Sequence, residues 1–439
     1  MTPTEENPID SDSVPSNSVM DRSLDNEEAI DMPDWKNKKK HVFILSTSGK
    51  PIYSRYGSED KLVTIFGVMQ ALVSFVQSNN DTIQSIRAGD TKFVFLVQEP
   101  IILVTVSKTT DSERQLNMQL KYLYNLILSI LTSTQLKKIY EERRNFDLRR
   151  LLTGSERLID HLLNFMSVEP GFSLGSVRCL TLDPSVRNGI RSTIVATCNK
   201  IKKLVFALLI GNNQLVAFVR MEKYHIHPVD MHIIFNLIDS TESFKTAESW
   251  TPICLPKFDP TGFLHAHVSY LAEDCQACLV LLTVDKDIFF TLSEAKQKLV
   301  EKMRRGNLLE PINESMSQAT IGTSSIGIPE LRHFIYKHKQ TSHYWCPKFE
   351  APYSTPEEIE RIQSLYRKLH EDIHTRNLKL IFEQFGTETL LGWVTVDLEL
   401  YVAFEPMILK DAAIKSINKI LSWVKKEEER LFILSDSMF

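Results

Sequence analysis

Residues 41–57 read HVFILSTSGKPIYSRYG, two β-rich runs meeting at a Ser-Gly-Lys-Pro turn, and an apolar helix follows. Side chains alternate along a strand, so Val42, Ile44 and Ser46 share one face while Phe43, Leu45 and Thr47 share the other. Both faces are largely apolar, as in a strand covered on two sides. Gly49 and Pro51 supply turn chemistry. Over residues 61–76, Leu62, Ile65, Phe66, Met69, Val73 and Val76 recur at helical spacing and form a core stripe. A hairpin answered by such a helix commits this part of the chain to αβ layering around a single two-layer core.

The same kind of unit recurs. Strands are expected at 83–87, 92–98 and 101–108, then helices at 113–131, 134–140 and 155–166. Glu169, Pro170 and Gly171 break the composition and open a second module. There KKLVFALLIG and QLVAFVRME flank Asn212-Asn213, a hairpin signal. A helix at 186–198 precedes that hairpin, and Pro228 begins another. A proline-punctuated loop (Pro252, Pro256, Pro260) leads to strands at 264–270 and 277–284 and a helix at 293–305. Residues 306–328 are polar and Gly/Ser-rich and read as a linker. The third module shows helices near 329–339 and 356–375, strands at 378–385, 390–396 and 400–404, and a closing helix at 409–429. With 439 residues the chain has room for two or three domains of roughly 100–200 residues. The expected class is α/β in the α+β sense: antiparallel sheets packed with helices, in domains at 35–168, 169–305 and 329–439. No residue-level repeat supports a solenoid.

Charge is uneven. Residues 1–34 hold ten acidic side chains and one basic, leaving +5 on the remaining 405. With almost no aromatic or branched apolar residues, that segment buries too little surface to offset its ordering entropy and reads as a disordered tail. Trp35 then opens a basic cluster, Lys36, Lys38, Lys39 and Lys40, read as a solvated lead into the first strand, with an anionic-surface contact or a dock for the acidic tail as the sharper readings. No apolar run nears the about 18 residues of a membrane span, and no basic segment followed by an apolar one opens the chain, so a soluble, non-secreted protein is expected. The six cysteines are scattered through apolar segments and suit buried thiols rather than a disulfide framework.

Catalytic signatures are weak. His370, Glu371 and His374 form a literal HExxH, the pattern in which two His one turn apart hold zinc and Glu acts as base. Yet the helix buries Ile359, Ile362, Tyr366, Leu369 and Ile373. At about 100° per residue both His fall on a flank, with Glu371 facing solvent. The nearest downstream acids, Glu383 and Glu388, fall on or beside strands, so a zinc hydrolase is the lesser reading. Gly171–Gly175 around Ser173 matches GxSxG but lacks the strand that a nucleophile elbow needs before it. Cys275 and Cys278 form a lone CxxC near His265, His267 and Cys254, read as core rather than metal site; His225 and His227 read as a lead into a helix. No phosphate-cradling Gly-rich loop is present. The basic groups Lys200, Lys202, Lys203 and Arg143, Arg144, Arg149, Arg150 lack the aromatic interleaving of a nucleic-acid surface. They read as solvated faces, with anionic lipid as the functional alternative. No cofactor, metal or nucleic acid is expected.

The strings FILSTSGKPIYSRYGSE, FGVMQALVSF, GDTKFVFL, LRRLLTGSERLIDHLL and LGWVTVDLELYVAFEP, in this order between residues 43 and 406, closely resemble the SAND family of monensin-sensitivity vacuolar fusion proteins. The resemblance spans nearly everything from residue 41 onward. It implies three longin domains and a heterodimer with a CCZ-type longin subunit that acts as guanine-nucleotide exchange factor for the late-endosomal Rab GTPase. A third, propeller-containing subunit is implied in animals, with recruitment by the early-endosomal Rab and by phosphatidylinositol 3-phosphate. That places the protein in the cytoplasm, peripherally on endosomes and the lysosome or vacuole, in Rab conversion, fusion and autophagy. The resemblance also puts the GTPase platform on the first longin domain, here the hairpin and first helix, with Pro51, Tyr53, Arg55, Tyr56, Glu59, Asp60, Ile65 and Gln70 as contacts. Lys200, Lys202, Lys203, Arg304 and Arg305 are the expected lipid-facing residues. A longin adaptor that scaffolds vesicle tethers without exchange activity is the rival reading.

Overall fold

A computed structural model of the chain describes Trp35 and residues 37–142, 147–317 and 321–439. The expected acidic tail, Lys36, Arg143 and Arg144 lie outside the described residues. The first domain runs β1 (Lys40–Ser46), β2 (Pro51–Ser54), α1 (Val63–Gln77), β3 (Ser85–Ala88), β4 (Thr91–Gln98), β5 (Ile101–Ser107) and α2 (Glu113–Leu131). Helices α3 (Ser133–Glu142), α4 (Arg149–Leu152), α5 (Glu156–Val168) and α6 (Gly171–Leu174) and the short strand β6 (Val177–Arg178) lead out of it. The second domain holds α7 (Pro184–Cys198), β7 (Leu204–Gly211), β8 (Gln214–Arg220), α8 (Pro228–Ser240), β9 (Ser249–Leu255), β10 (Asp259–Ala272), β11 (Cys275–Thr283) and α9 (Phe289–Arg305). After α10 (Leu309–Ser317) the third domain runs β12 (Leu331–His338), β13 (His343–Trp345), α11 (Pro356–Thr375), β14 (Leu380–Gln384), β15 (Thr389–Val394), β16 (Leu398–Phe404) and α12 (Lys410–Leu431), and β17 (Ser437–Met438) ends the chain.

One strand order is used three times: β2-β1-β5-β4-β3, β8-β7-β11-β10-β9 and β13-β12-β16-β15-β14, each antiparallel. Because the central strands are apolar on both faces, each sheet takes helices on both sides. Phe43, Leu45, Phe95 and Val104 pack beneath α1, while Val42, Ile44, Val94 and Leu103 face α2. The two-layer core expected from the hairpin and helix is therefore three layers deep. A capping box between Ser112 and Gln115 starts α2. That helix lies between two sheets: Leu120, Leu123 and Ile127 share a cluster with Val205, Leu208 and Val280 of the second domain.

Four local expectations meet the structure differently or in detail. Residues 329–339, expected as a helix, form β12, because the run LRHFIYKH packs on both faces between β13 and β16. The proline loop contains β9, which tolerates Pro252 as the edge strand, where a missing N–H leaves no ladder bond unmade. The expected linker carries α10, whose Leu309 and Ile312 are buried against the second domain. The Asn212-Asn213 hairpin is present, both residues at positive φ (49° and 57°).

Two short strands cross between domains. β6 adds in parallel to β13 of the third sheet, and β17 adds in parallel to β8 of the second. Buried Arg187 locks this crossing by donating to the carbonyls of Leu180, Glu429, Arg430 and Phe432. Among the described residues, no helix is long and apolar enough to cross a membrane.

Candidate functional site

Helix α1 has no charged residue in its 15-residue run VTIFGVMQALVSFVQ. One side buries Phe66, Met69 and Val73 on the first sheet. On the other side Val63 is 53% exposed, Val68 57%, Leu72 37% and Phe75 71%. Val68, Leu72 and Phe75 stand at i, i+4 and i+7, so they form a continuous row. Helices that are apolar all round are normally covered on every side, and an outward row of this kind marks an interaction face. Full burial of each such side chain is worth about 1.5–3 kcal/mol. Sequence reasoning followed the core stripe of this helix and missed its outer row. The signal available was the lack of any Asp, Glu, Lys or Arg over four turns.

The hairpin residues expected to contact a GTPase divide into two groups. Tyr53 is 3% exposed, and its hydroxyl donates to the Asp160 carboxylate on α5. It is a core residue, because the hairpin face that carries it is covered by the helices following α2. Pro51 pairs with Leu45 in the hairpin. Ile65 packs against the α1 core, and the Gln70 amide donates to the Thr47 carbonyl (3.4 Å) and Ser74 Oγ (2.8 Å). Arg55, Tyr56, Glu59 and Asp60 stay accessible at the foot of α1. The Arg55 guanidinium donates to Asn164 Oδ1 (2.9 Å) and lies over the Tyr56 ring at 5.3 Å. Arg149 reaches Glu59 at 3.4 Å and Asp60 at 3.5 Å. The structure thus gathers a charged rim beside an apolar row.

At the junction of the first and third domains, Lys40 departs from its expected solvated role. Its ammonium lies 3.6 Å from Asp111, which also pairs with Arg367 of α11 at 3.3 Å. Burial pushes the Lys40 pKa down to about 8, against the pull of Asp111. Next to this junction is a cavity of about 570 Å³ lined by Gln115, Ser173, Arg367, His370, Glu371 and His374, among others. The HExxH helix therefore borders a cavity rather than a bare flank. Glu371 does not face open solvent: it accepts from Ser112 Oγ at 2.5 Å.

Residues 40–162, 202–301 and 330–428 match, respectively, the first, second and third longin domains of FUZ, MON1 and HPS1. The chain is 45% identical to the vacuolar fusion protein MON1 homolog A of Gallus gallus over 94% of its own length and 75% of that protein. It is 44% identical to Protein SAND of Takifugu rubripes (95% and 80% covered) and 39% identical to MON1 homolog B of Mus musculus (91% and 76%). The chain belongs to the MON1/SAND family.

For a member of the MON1/SAND family, the short sequence signatures resolve into structure. Cys275 packs on one face of β11 and Cys278 on the other, so one metal ion cannot take both. Burial pushes both thiols up, Cys278 to about 12. Ser173 lies in the single turn α6, where its hydroxyl donates to the Pro170 carbonyl. The expected lipid-facing residues do not form one patch. Lys203 pairs with Asp285 (3.2 Å) and Arg304 with Asp274 (3.2 Å), at opposite ends of β11. Arg305 pairs with Glu301 on its own helix, and Lys200 and Lys202 are exposed.

Proposed function

We propose that this MON1/SAND longin protein works in vesicle fusion as one half of a guanine-nucleotide exchange factor. In this reading a CCZ-type longin subunit covers the outer row of α1, and the pair acts on the late-endosomal Rab GTPase. The uncharged helix α1, with Val63, Val68, Leu72 and Phe75 facing outward, is the observation that carries the reading. A permanent partner suits such a row, since the cores of stable interfaces are apolar and depleted in charge. Arg55, Tyr56, Glu59 and Asp60 form the adjoining rim for GTPase contact.

Exchange without covalent chemistry is a matter of linkage. A partner that binds the empty GTPase more tightly than the loaded one weakens nucleotide binding by the same factor. Each tenfold weakening takes about 1.4 kcal/mol of differential contact. Recruitment by the early-endosomal Rab and by phosphatidylinositol 3-phosphate would place the complex on endosomes, and a propeller-containing subunit would be its third member. Stopped-flow release of labelled GDP, measured with the copurified pair across a panel of Rab proteins, tests the reading. Acceleration of the late-endosomal Rab alone is expected. A pair that assembles yet leaves every Rab unchanged points instead to a tethering adaptor.

A further inference from the structure

His370 and His374, one turn apart on α11, do not stand alone. Glu399 on β16 faces both, its Oε2 lying 3.3 Å from His374 Nε2 and 3.8 Å from His370 Nε2. One ligand atom from each of the three lies within 4.8 Å of the others. A tetrahedral zinc ion with bonds of about 2.0–2.2 Å requires ligand separations of about 3.3 Å, so small side-chain rotations would close the set. The carboxylate is 3% exposed, whereas the two rings, 21% and 33% exposed, border the cavity between the first and third domains.

We propose that His370 Nε2, His374 Nε2 and Glu399 Oε2 form a binding site for one divalent transition-metal ion of the zinc class, with a fourth position open to that cavity.

Such binding needs neutral imidazole and ionised carboxylate. Burial, reinforced by His374, pushes His370 down to about 3. Burial alone would raise Glu399, but the His374 hydrogen bond and the Lys337 charge hold it down to about 2. Other groups face the same carboxylate. Lys337 and Lys339 approach Oε1 at 3.2 and 3.8 Å, and the Tyr401 hydroxyl donates to Oε2 at 2.9 Å. The lysines thus hold the oxygen that the histidines leave free. In the metal-free chain His374 Nε2 donates its proton to Oε2; metal binding at Nε2 takes the other neutral tautomer, with that ring proton shifted to Nδ1. Glu371, the base of a hydrolytic HExxH, is engaged by Ser112 across the domain junction. The site is accordingly one for binding, tying α11 to β16 beside the junction, and not a hydrolytic centre.

The test titrates the chelator-treated full chain with Co2+ and then displaces it with Zn2+. One Co2+ per chain, with the visible bands of a four-coordinate ion and displacement by equimolar Zn2+, is expected. His374→Asn is the preferred variant because that ring is the more exposed; it is expected to weaken Co2+ binding by at least about tenfold while the circular dichroism stays unchanged. Lys337→Met, which removes a competing charge, is expected to tighten binding. Absence of saturable binding to the wild-type chain at micromolar metal would overturn the proposal. So would binding that survives in both His374→Asn and Glu399→Gln.

Discussion

Neutral histidines hold several interior positions. The His333 ring stacks on Phe349 at 4.2 Å, and its two nitrogens meet the Tyr366 hydroxyl (3.1 Å) and the Pro347 carbonyl (3.2 Å). One nitrogen donates to the Pro347 carbonyl and the other accepts from the Tyr366 hydroxyl, so the neutral ring satisfies both partners in a site where burial disfavours the charged form. Burial pushes His333 and His343 down to about 3, and His232, stacked on Phe172, to about 4. An unfolded histidine titrates near 6.5, so between that pH and about 4 the unfolded chain binds more protons. Stability is therefore full above pH 6.5 and falls with acidification, by about 2 kcal/mol per buried ring at pH 5. Urea midpoints at pH 7.5 and 5 should differ clearly, and His333→Gln should flatten the dependence; a midpoint independent of pH would contradict this. The hairpin gives a second residue-level contrast. Tyr53→Phe removes the Asp160 bond and should cost about 1 kcal/mol without altering exchange. Arg55→Ala should slow GDP release by the assembled pair while its melting temperature holds.

Among the elements, α1 and β17 have opposite dependencies. Helix α1 needs its inner side for the fold and leaves its outer side free, so Val68→Asp with Phe75→Asp should change stability by less than about 1 kcal/mol. The same change should abolish copurification with a longin partner, and a retained complex would move the interface elsewhere. Strand β17 has only two residues yet anchors much. Asp436 receives the buried Arg220 guanidinium at 2.6 and 2.9 Å, and Ser435 receives Arg191. Deleting residues 435–439 leaves Arg220 without the half-exposed Asp436 carboxylate but with its Glu222 and Tyr224 carbonyl partners, and loss of such a charged hydrogen bond costs about 1.5–3 kcal/mol. A drop of that size in the urea unfolding free energy is the expected result.

At the scale of the whole molecule, the chain is interlocked rather than strung. Helix α2 belongs to the first domain by sequence and to the cores of both the first and second by packing. Tryptophan reporters at 35 and 250 should therefore report one coincident unfolding transition in single-tryptophan variants, and two separated transitions would show that α2 fails to couple the cores. β6 and β17 extend sheets whose own strands lie far away in sequence. A third domain cut from residue 321 onward would lack β6 and leave the edge of β13 uncovered.

What was legible in the sequence was local and periodic. Alternation placed β1, β2, β4, β5, β7 and β8, helical spacing placed α1, α2, α11 and α12, and the asparagine pair placed its hairpin, because each signal reports the face an element presents to its own core. Long ordered strings likewise carried the family resemblance. The tertiary structure alone decided contacts between residues distant in sequence. Periodicity could not show that Tyr53 would be covered by α5, that Lys40 would meet Asp111 and Arg367, or that β12 would be a strand in spite of Pro329. Nor could it bring Glu399, from a strand 25 residues past His374, to the open side of the HExxH turn. A strand's register and a helix's azimuth are fixed by partners elsewhere in the chain, and no window of sequence contains them.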